Sequence, residues 1–353
     1  MLPDRAPLTA LADFDTIIDA RSPAEFAADH IPGAINCPVL DDAQRIQVGT
    51  LYKQVSPFEA KKIGAALVAE NIGRHLRERF LGQARDWKPL IYCWRGGNRS
   101  GSMTTVFRAI GWKASQLEGG YKTWRSHVVA RLEELPPAYD FRVICGATGS
   151  AKTRILQAIG ALGEQVLDLE TLASHKGSVL GVLPGQPQPD QKWFETLLLQ
   201  ELEHFDPARP VYVEAESRKI GRLHVPEALI ARIRAGECLN IDASLDARID
   251  FLIGDYDYFL NLPDLLNDRL AVLDSLHSRE TMSRWQEMVA TNAWPALVRE
   301  LLELHYDPLY RRSQKRNFGG YGSPATFSAD DLSAAGIAGL AERIVHSRTA
   351  QIA

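Results

Sequence analysis

The chain has 353 residues, 45% of them hydrophobic and 24% charged, with a formal net charge of −4 at pH 7. At roughly 100–200 residues per domain, this predicts two or three domains of an ordinary globular protein. No run approaches the ~18 apolar residues of a membrane helix, and Met1-Leu-Pro-Asp-Arg lacks the layout of a signal peptide; Cys37, Cys93, Cys145 and Cys238 show no CxxC spacing. Membrane spanning, secretion, a disulfide framework and structural zinc are therefore not expected, and a reducing cytoplasm is.

Charge is unevenly divided. Residues 1–137 hold 18 Lys and Arg against 15 Asp and Glu, and the remainder 22 against 29. Neither part is basic enough to announce nucleic acid, but local clusters suffice for phosphate contacts. Arg74 and Arg77 begin a basic stretch that reaches Arg99, and Arg311, Arg312, Lys315 and Arg316 form a second. A solvated helix face is the plain alternative for each.

In chain order, Thr16–Ile18 and Pro89–Tyr92 read as strands. Between them 57–80 has helical spacing, with Ile63, Leu67, Ile72, Leu76 and Phe80 as its apolar stripe. Lys122–Glu134 reads as a helix, Pro136-Pro137 as a boundary, and 139–145 as a strand opening a new core. Further strands are expected at Gln165–Leu169 and Pro210–Val213, and helices over 262–276, 282–304 and 329–345. Strands alternating with helices imply an α/β fold with parallel sheets and a helical C-terminal extension. The expected boundaries are a first domain over 1–134, a linker at 135–140, a second core over 141–260 and its helical part over 261–353.

Two loops carry chemistry. Cys93-Trp94-Arg95-Gly96-Gly97-Asn98-Arg99-Ser100 follows a strand and precedes a helix, so loop amides and a helix N-terminus converge where they favour an anion or a thiolate. A free cysteine of pKa near 8.5 is only about 3% ionised at pH 7; positive potential from the helix end, Arg95 and Arg99 raises that share. Cys93 is the expected nucleophile. Gly146-Ala147-Thr148-Gly149-Ser150-Ala151-Lys152-Thr153 matches the P-loop except for Ala151 in place of glycine. Its amides are expected to cradle a diphosphate, with Lys152 neutralising it and Thr153 able to hold Mg²⁺. Asp168 with Glu170, and Glu214 with Glu216, are the candidate metal or substrate carboxylates; none has the standard Walker B setting.

Asp19-Ala-Arg21-Ser-Pro-Ala-Glu25-Phe26, His30-Ile-Pro-Gly33-Ala-Ile-Asn36, the cysteine loop and Leu117-Glu-Gly119-Gly120-Tyr-Lys-Thr-Trp124 resemble the rhodanese domain in motif and order. Cys93 and Arg99 also satisfy the C-x5-R spacing of cysteine phosphatases. Phosphate-ester hydrolysis and chalcogen transfer from a phosphoryl-bearing donor both remain open on spacing alone. A rhodanese-like domain joined to a P-loop NTPase-like domain resembles the tRNA 2-selenouridine synthases over nearly the whole length. Further stretches supporting this are Val48-Gly49-Thr50-Leu-Tyr52-Lys53, His175-Lys-Gly177-Ser178, Gln188-Pro189-Asp-Gln191-Lys192-Trp-Phe194-Glu195, Glu214-Ala-Glu216-Ser217-Arg218-Lys219-Ile220-Gly221 and His305-Tyr306-Asp307-Pro308-Leu-Tyr310.

The resemblance implies a transferase acting on wobble 2-thiouridine in the anticodon region of tRNAs for Lys, Glu and Gln. Geranyl diphosphate would alkylate the 2-thio sulfur; selenophosphate, made by a separate enzyme, would then supply selenium to give 2-selenouridine. It implies Cys93 as selenium carrier (a perselenide), the 94–99 loop as the selenophosphate site, and the P-loop as the diphosphate site. Trp94, and after it Tyr121, are the expected stacking platforms for the base, with the basic clusters on tRNA phosphates. The alternatives are a cysteine phosphatase fused to a P-loop kinase, and a non-catalytic sensor.

Overall fold

A computed structural model describes residues 4–318 and 324–347, with backbone alone over 313–317. The chain packs as two compact units, Met1–Arg131 and Leu132–Ala353. No helix among the described residues is long and apolar enough to cross a membrane.

The first unit carries β1 (Arg5–Ala6), β2 (Thr16–Asp19), β3 (Ile35–Asn36), β4 (Pro89–Tyr92) and β5 (Ser115–Leu117), arranged β1-β5-β4-β2-β3. Every pairing is parallel. Strand β4 is buried along its whole length, as a central parallel strand covered on both faces must be. Against it pack Ile18, Phe80, Trp87, Phe107 and Trp112, with the Trp87 and Trp112 rings edge to face at 5.0 Å.

The 57–80 stretch departs from the expected apolar stripe. Helix Pro57–His75 buries Ala60, Gly64, Asn71, Ile72 and His75, whereas Ile63 is exposed. The polar pair is buried because each finds a carbonyl: Asn71 Nδ2 reaches Val39 O at 3.1 Å and His75 Nε2 lies 2.9 Å from Pro38 O. Apolar spacing alone misses such a face. Leu76–Phe80 then widen into a π turn, which shifts the register so that Phe80 reaches the core.

The second unit carries β6 (Phe141–Gly146), β7 (Gln165–Leu167), β8 (Val211–Glu214), the hairpin β9 (Lys219–Ile220) and β10 (Leu223–His224), β11 (Glu237–Asp242) and β12 (Ala325–Ser328). Its main sheet runs β12-β11-β6-β8-β7, again parallel throughout. In the stretch 135–140, Pro136–Ala138 make one 3-10 turn, and Tyr139 is buried with its hydroxyl donated to Leu202 O.

Three expectations are corrected here. Strand β11 went unseen because polar Asn240 interrupts its apolar run, although Cys238, Leu239 and Ile241 are buried. Strand β12 lies inside the stretch read as purely helical; it is short and mostly exposed at the sheet edge, so it has no strong pattern to read. The 282–304 helix is broken: Arg279–Ala290 ends, Asn292 turns with φ 56°, and Trp294–Leu301 starts afresh with Pro295 in its first turn. These helices close around Trp285, Leu270, Leu297 and Leu301.

Candidate functional sites

The cysteine loop leaves the C-terminal end of central strand β4 and runs into helix Asn98–Ile110. That helix starts without a side-chain cap, at Gly97, and has no acidic residue in its first turn. Asp41, Ser56, Ser244, Ser278 and Ser333 each cap a helix elsewhere with a side-chain acceptor. An uncapped start leaves first-turn amides for an external anion.

Cys93 is 3% exposed. The Ser100 hydroxyl donates to its sulfur at 3.0 Å. Gln116 on β5 donates its amide to Ser100 Oγ at 2.8 Å and to Gly97 O at 2.9 Å, so the Ser100 oxygen is an acceptor while its one proton has two acceptors in reach, Cys93 Sγ at 3.0 Å and Gly97 O at 3.4 Å. Neither residue was singled out from the sequence. Ser100 follows the C-x5-R motif directly and was legible there; Gln116 lies 16 residues further on and reaches the loop only through the sheet.

Two glycines lock the loop. A Cβ on Gly120 (φ +61°) would stand 2.3 Å from Cys93 O and 2.5 Å from Gly96 N, and one on Gly96 (φ +63°) 2.9 Å from Leu117 O. The closing motif is therefore the other half of the cysteine loop, joined through Tyr121 N to Cys93 O and Lys122 N to Trp94 O.

Arg99 pairs with Glu25 at 2.7 Å, and Arg45 shares the same carboxylate at 2.8 Å. Burial works against the charge on Glu25, but Arg99 and Arg45 outweigh it and hold its carboxyl low. Arg95, Asn98 and Trp94 are exposed. Trp94 stands 5.3 Å from the Tyr121 ring over an open hollow of about 440 Å³ that Lys122 and Arg125 also line. Tyr121 itself is 1% exposed, with Arg21 over its ring at 3.9 Å and its hydroxyl on Asp29. Its face is taken by a cation, and of the two expected platforms Trp94 is the exposed one.

The second site forms at the C-terminal ends of β6, β7 and β8, where ligands of parallel sheets collect. Helix Lys152–Ala161 begins at Ala151, again with no side-chain cap. Ala151 adopts φ 57°, ψ 27° with its methyl in the core. This is the left-handed conformation that glycine takes most easily, so the loop keeps its shape with alanine. Gly146 cannot be replaced in the same way: its Cβ would stand 2.5 Å from Ser150 Oγ. Lys152 Nζ lies 3.4 Å from Ala147 O.

Glu170, Glu214 and Glu216 converge, with one oxygen of each within 4.8 Å of the others, and Thr153 Oγ1 donates to Glu170 at 3.0 Å. Burial, then mutual repulsion with Glu214 and Glu216, pushes Glu170 up to about 10; burial raises Glu214 to about 8 and also raises Glu216. Glu214 is 4% exposed and its Oε1 is buried with no partner. A buried carboxylate oxygen aimed at two more carboxylates fits a bound divalent cation. Asp168 does not join them. Its carboxylate caps helix Leu169–Ala173 through Thr171 N at 2.9 Å and takes Thr171 Oγ1 at 2.8 Å, which also ends the strand two residues earlier than expected.

The motifs around His175, Glu214 and His305 line this pocket, which holds about 530 Å³. Arg248 donates to Thr148 O at 2.8 Å and pairs with Asp307 at 2.6 Å, and Gly146 N donates to the Tyr310 hydroxyl. His305–Tyr310 thus braces the phosphate loop. Gly177 (φ +62°) sits so close that a Cβ would be 2.4 Å from Glu170 Oε1. Gln188 ties Ala173 O to Ile220 O, and Gln191 takes His224 O, fixing the hairpin that follows Glu216. Lys176 and Arg154 both meet Asp255, at 2.6 and 2.9 Å; Lys176 belongs to the stretch His175–Ser178 already marked in the sequence, while Arg154 and Asp255 were not singled out.

Of the basic clusters, Arg74 and Arg77 are exposed in the first unit, and Arg311 and Arg312 on helix Asp307–Asn317 in the second. The side chains of Lys315 and Arg316 lie outside the described residues.

Comparisons with known proteins follow this geometry. The family described as "Rhodanese-like domain" matches residues 6–127, and "tRNA 2-selenouridine synthase AAA domain" matches 139–270. Curated relatives of the chain carry the name tRNA 2-selenouridine synthase, among them the following three. The one from Nitrosomonas europaea is 36% identical over 70% of this chain and 66% of its own length. Those from Bdellovibrio bacteriovorus and Alcanivorax borkumensis are 30% and 32% identical, over 85% and 86% of this chain and 89% and 90% of their own. The chain thus spans about two thirds of the length of the Nitrosomonas relative and nine tenths of the other two.

Proposed function

The chain belongs to the tRNA 2-selenouridine synthase family, and on that premise we propose that it converts wobble 2-thiouridine to 2-selenouridine in tRNAs for Lys, Glu and Gln, in two steps. In the first, the 2-thio sulfur attacks C1 of geranyl diphosphate, the S–C bond forms, and the C1–O bond breaks with its electrons leaving on diphosphate; N3 of the base gives up its proton. In the second, selenium delivered by selenophosphate adds at C2, the C2–S bond breaks, and geranylthiolate leaves. Water takes the phosphoryl group as phosphate. The order has a chemical reason: sulfide is a poor leaving group, and alkylation converts it to a thiolate.

The first step is assigned to the second unit. Amides of 146–153 and Lys152 stabilise the negative charge that develops on the departing diphosphate. Mg²⁺ fits between Thr153, Glu170, Glu214 and Glu216, and when bound it would neutralise the same charge. The second step is assigned to the first unit, where the helix start at Gly97 and exposed Arg95 receive the selenophosphate anion. Cys93, with its sulfur held by Ser100, lies in the same loop and positions the bound selenophosphate so that its selenium attacks C2 without first being oxidised onto the thiol. Trp94 is the stacking surface for the splayed base, and the exposed arginines contact tRNA phosphates.

The observation that carries this reading is that a chain of this family has two glycine-rich loops, each leading into an uncapped helix start, one beside a buried cysteine and one beside three carboxylates of which Glu214 is buried and Glu170 and Glu216 half-buried. The test is mass spectrometry of nucleosides from an anticodon stem-loop with wobble 2-thiouridine, incubated with geranyl diphosphate and then with selenophosphate. S-geranyl-2-thiouridine followed by 2-selenouridine is expected. Lys152→Ala should stop the first product and Cys93→Ala only the second. Unchanged 2-thiouridine with folded protein would overturn the proposal and favour the phosphatase–kinase alternative, which predicts turnover of an aryl phosphate and of ATP.

A further inference from the structure

The phosphate-loop pocket does not end at the loop. Thr148, Ser178, Leu252, Tyr256 and Tyr306 line it and also line a second cavity of about 80 Å³. Behind this mouth the wall is made by Phe259, Leu266, Trp294, Val298 and their neighbours, which are apolar. The cavity is several times the roughly 10–15 Å³ that one water needs, yet a water there also needs two to four polar partners. Those groups stand only at the mouth.

A ligand spanning both spaces has a defined chemistry: an anionic diphosphate at one end and a hydrocarbon at the other. A nucleoside does not fit this description, because a base and ribose carry donors and acceptors that the inner wall leaves unmatched. The wall is also preformed. Helix Leu245–Asp255 supplies one side, the turn Asp257–Asn261 and helix Pro263–Ala271 another, and helix Trp294–Leu301 a third. Arg248, which holds Thr148 O, is on the first of these helices, so the wall of the cavity and the backbone of the phosphate loop are mechanically joined.

We propose that this cavity binds the tail of an isoprenyl diphosphate, with the allylic C1 at the mouth beside Thr148 and Tyr256 and the far end of the chain against Trp294 and Leu266. The proposal rests on the reading that the loop binds geranyl diphosphate, and adds where the tail lies and what makes the site select a hydrocarbon. At the mouth the C1–O bond lies between a polar and a dry compartment. The tail is thereby anchored while the diphosphate leaves on the other side.

The experiment compares binding of inorganic diphosphate and geranyl diphosphate to the full chain by calorimetry with Mg²⁺ present. Geranyl diphosphate should bind about 100-fold more tightly, the factor that burying roughly three or four tail carbons supplies. Val298→Trp and, from helix Leu245–Asp255, Ile253→Trp should each erase most of that difference and leave inorganic diphosphate binding unchanged, which also reports an intact loop. Independently of any variant, a geranyl diphosphate analogue with a terminal diazirine should label peptides covering 263–271 or 294–301 of the unaltered protein.

Label elsewhere, or tighter geranyl diphosphate binding that neither tryptophan affects, would overturn the cavity as the tail site while leaving geranylation in place. Equal affinity for the two ligands would overturn it as well. If S-geranyl-2-thiouridine also failed to form, the functional reading would fall with it.

Discussion

Replacing Ser100 by alanine tests whether the buried hydrogen bond to Cys93 sets the reactivity of the sulfur. The donor and acceptor are 3.0 Å apart; Cys93, Ser100 and Gln116 are 3%, 0% and 7% exposed, so no bulk water replaces the lost partner. A hydrogen bond to a charged group contributes about 1.5–3 kcal/mol. It stabilises the charge on the sulfur as it attacks. At about 1.4 kcal/mol per factor of ten, Ser100→Ala should slow alkylation of Cys93 by iodoacetamide about 10- to 100-fold. Gln116→Leu removes the amide that donates to Ser100 Oγ and to Gly97 O, neutral hydrogen bonds of about 1 kcal/mol each, and should slow alkylation about fivefold.

The assay is peptide mass spectrometry of alkylation at Cys93. Cys37, pushed up to about 11 by burial, serves as the internal slow reference. Equal rates for the two proteins would refute the reasoning. A deficit accompanied by loss of the cooperative thermal transition would instead mean that the loop had lost its shape.

Gly120→Ala should abolish Cys93 reactivity and destabilise the first unit by more than about 2 kcal/mol, because a left-handed backbone and a contact with Cys93 O must both give way; denaturant unfolding measures it. For the acidic triad, folded pKa values raised above the unfolded ones mean that the native state holds extra protons near neutrality. Cation-free stability is then greatest below the ordinary carboxylate range and is lost as pH rises toward the raised values of Glu214 and Glu170. The melting temperature without Mg²⁺ should fall from pH 6 to 9, Mg²⁺ should restore it most at the alkaline end, and Glu214→Gln should flatten both trends; identical pH profiles for the two proteins would remove the triad as their cause. Trp94→Ala should weaken binding of an anticodon stem-loop about 5- to 100-fold, the range for losing one base stack, while Trp94→Phe should keep most of it, by fluorescence anisotropy. Neutralising Arg311 and Arg312 should weaken the same binding and reduce its salt slope by about two; an unchanged slope would take that helix out of the interface.

Much of this protein is local in the chain and so could be read from it. Strand, glycine-rich turn and helix are consecutive at both anion sites, and loop amides need no distant partner to point at a ligand. That is why Cys93 to Arg99 and Gly146 to Thr153 were legible as residues with a chemistry, and why motif order sufficed for the parallel α/β architecture. What depends on pairing across the chain was not legible. Gln116 reaches Ser100 only because β5 lies beside β4. Glu170, Glu214 and Glu216 become one cluster only because β7 and β8 are neighbours, while Asp168, two residues from Glu170, is turned away to cap a helix. Tyr121 reads as an accessible aromatic until Arg21 and Asp29, some ninety residues earlier, close over it. The dry cavity is the extreme case: between Leu245 and Tyr306 its walls come from five separate elements, each apolar for an ordinary packing reason. Hydrophobic periodicity reports that a face is buried. Only the packed helices decide whether it meets another side chain or an empty space beside a phosphate loop.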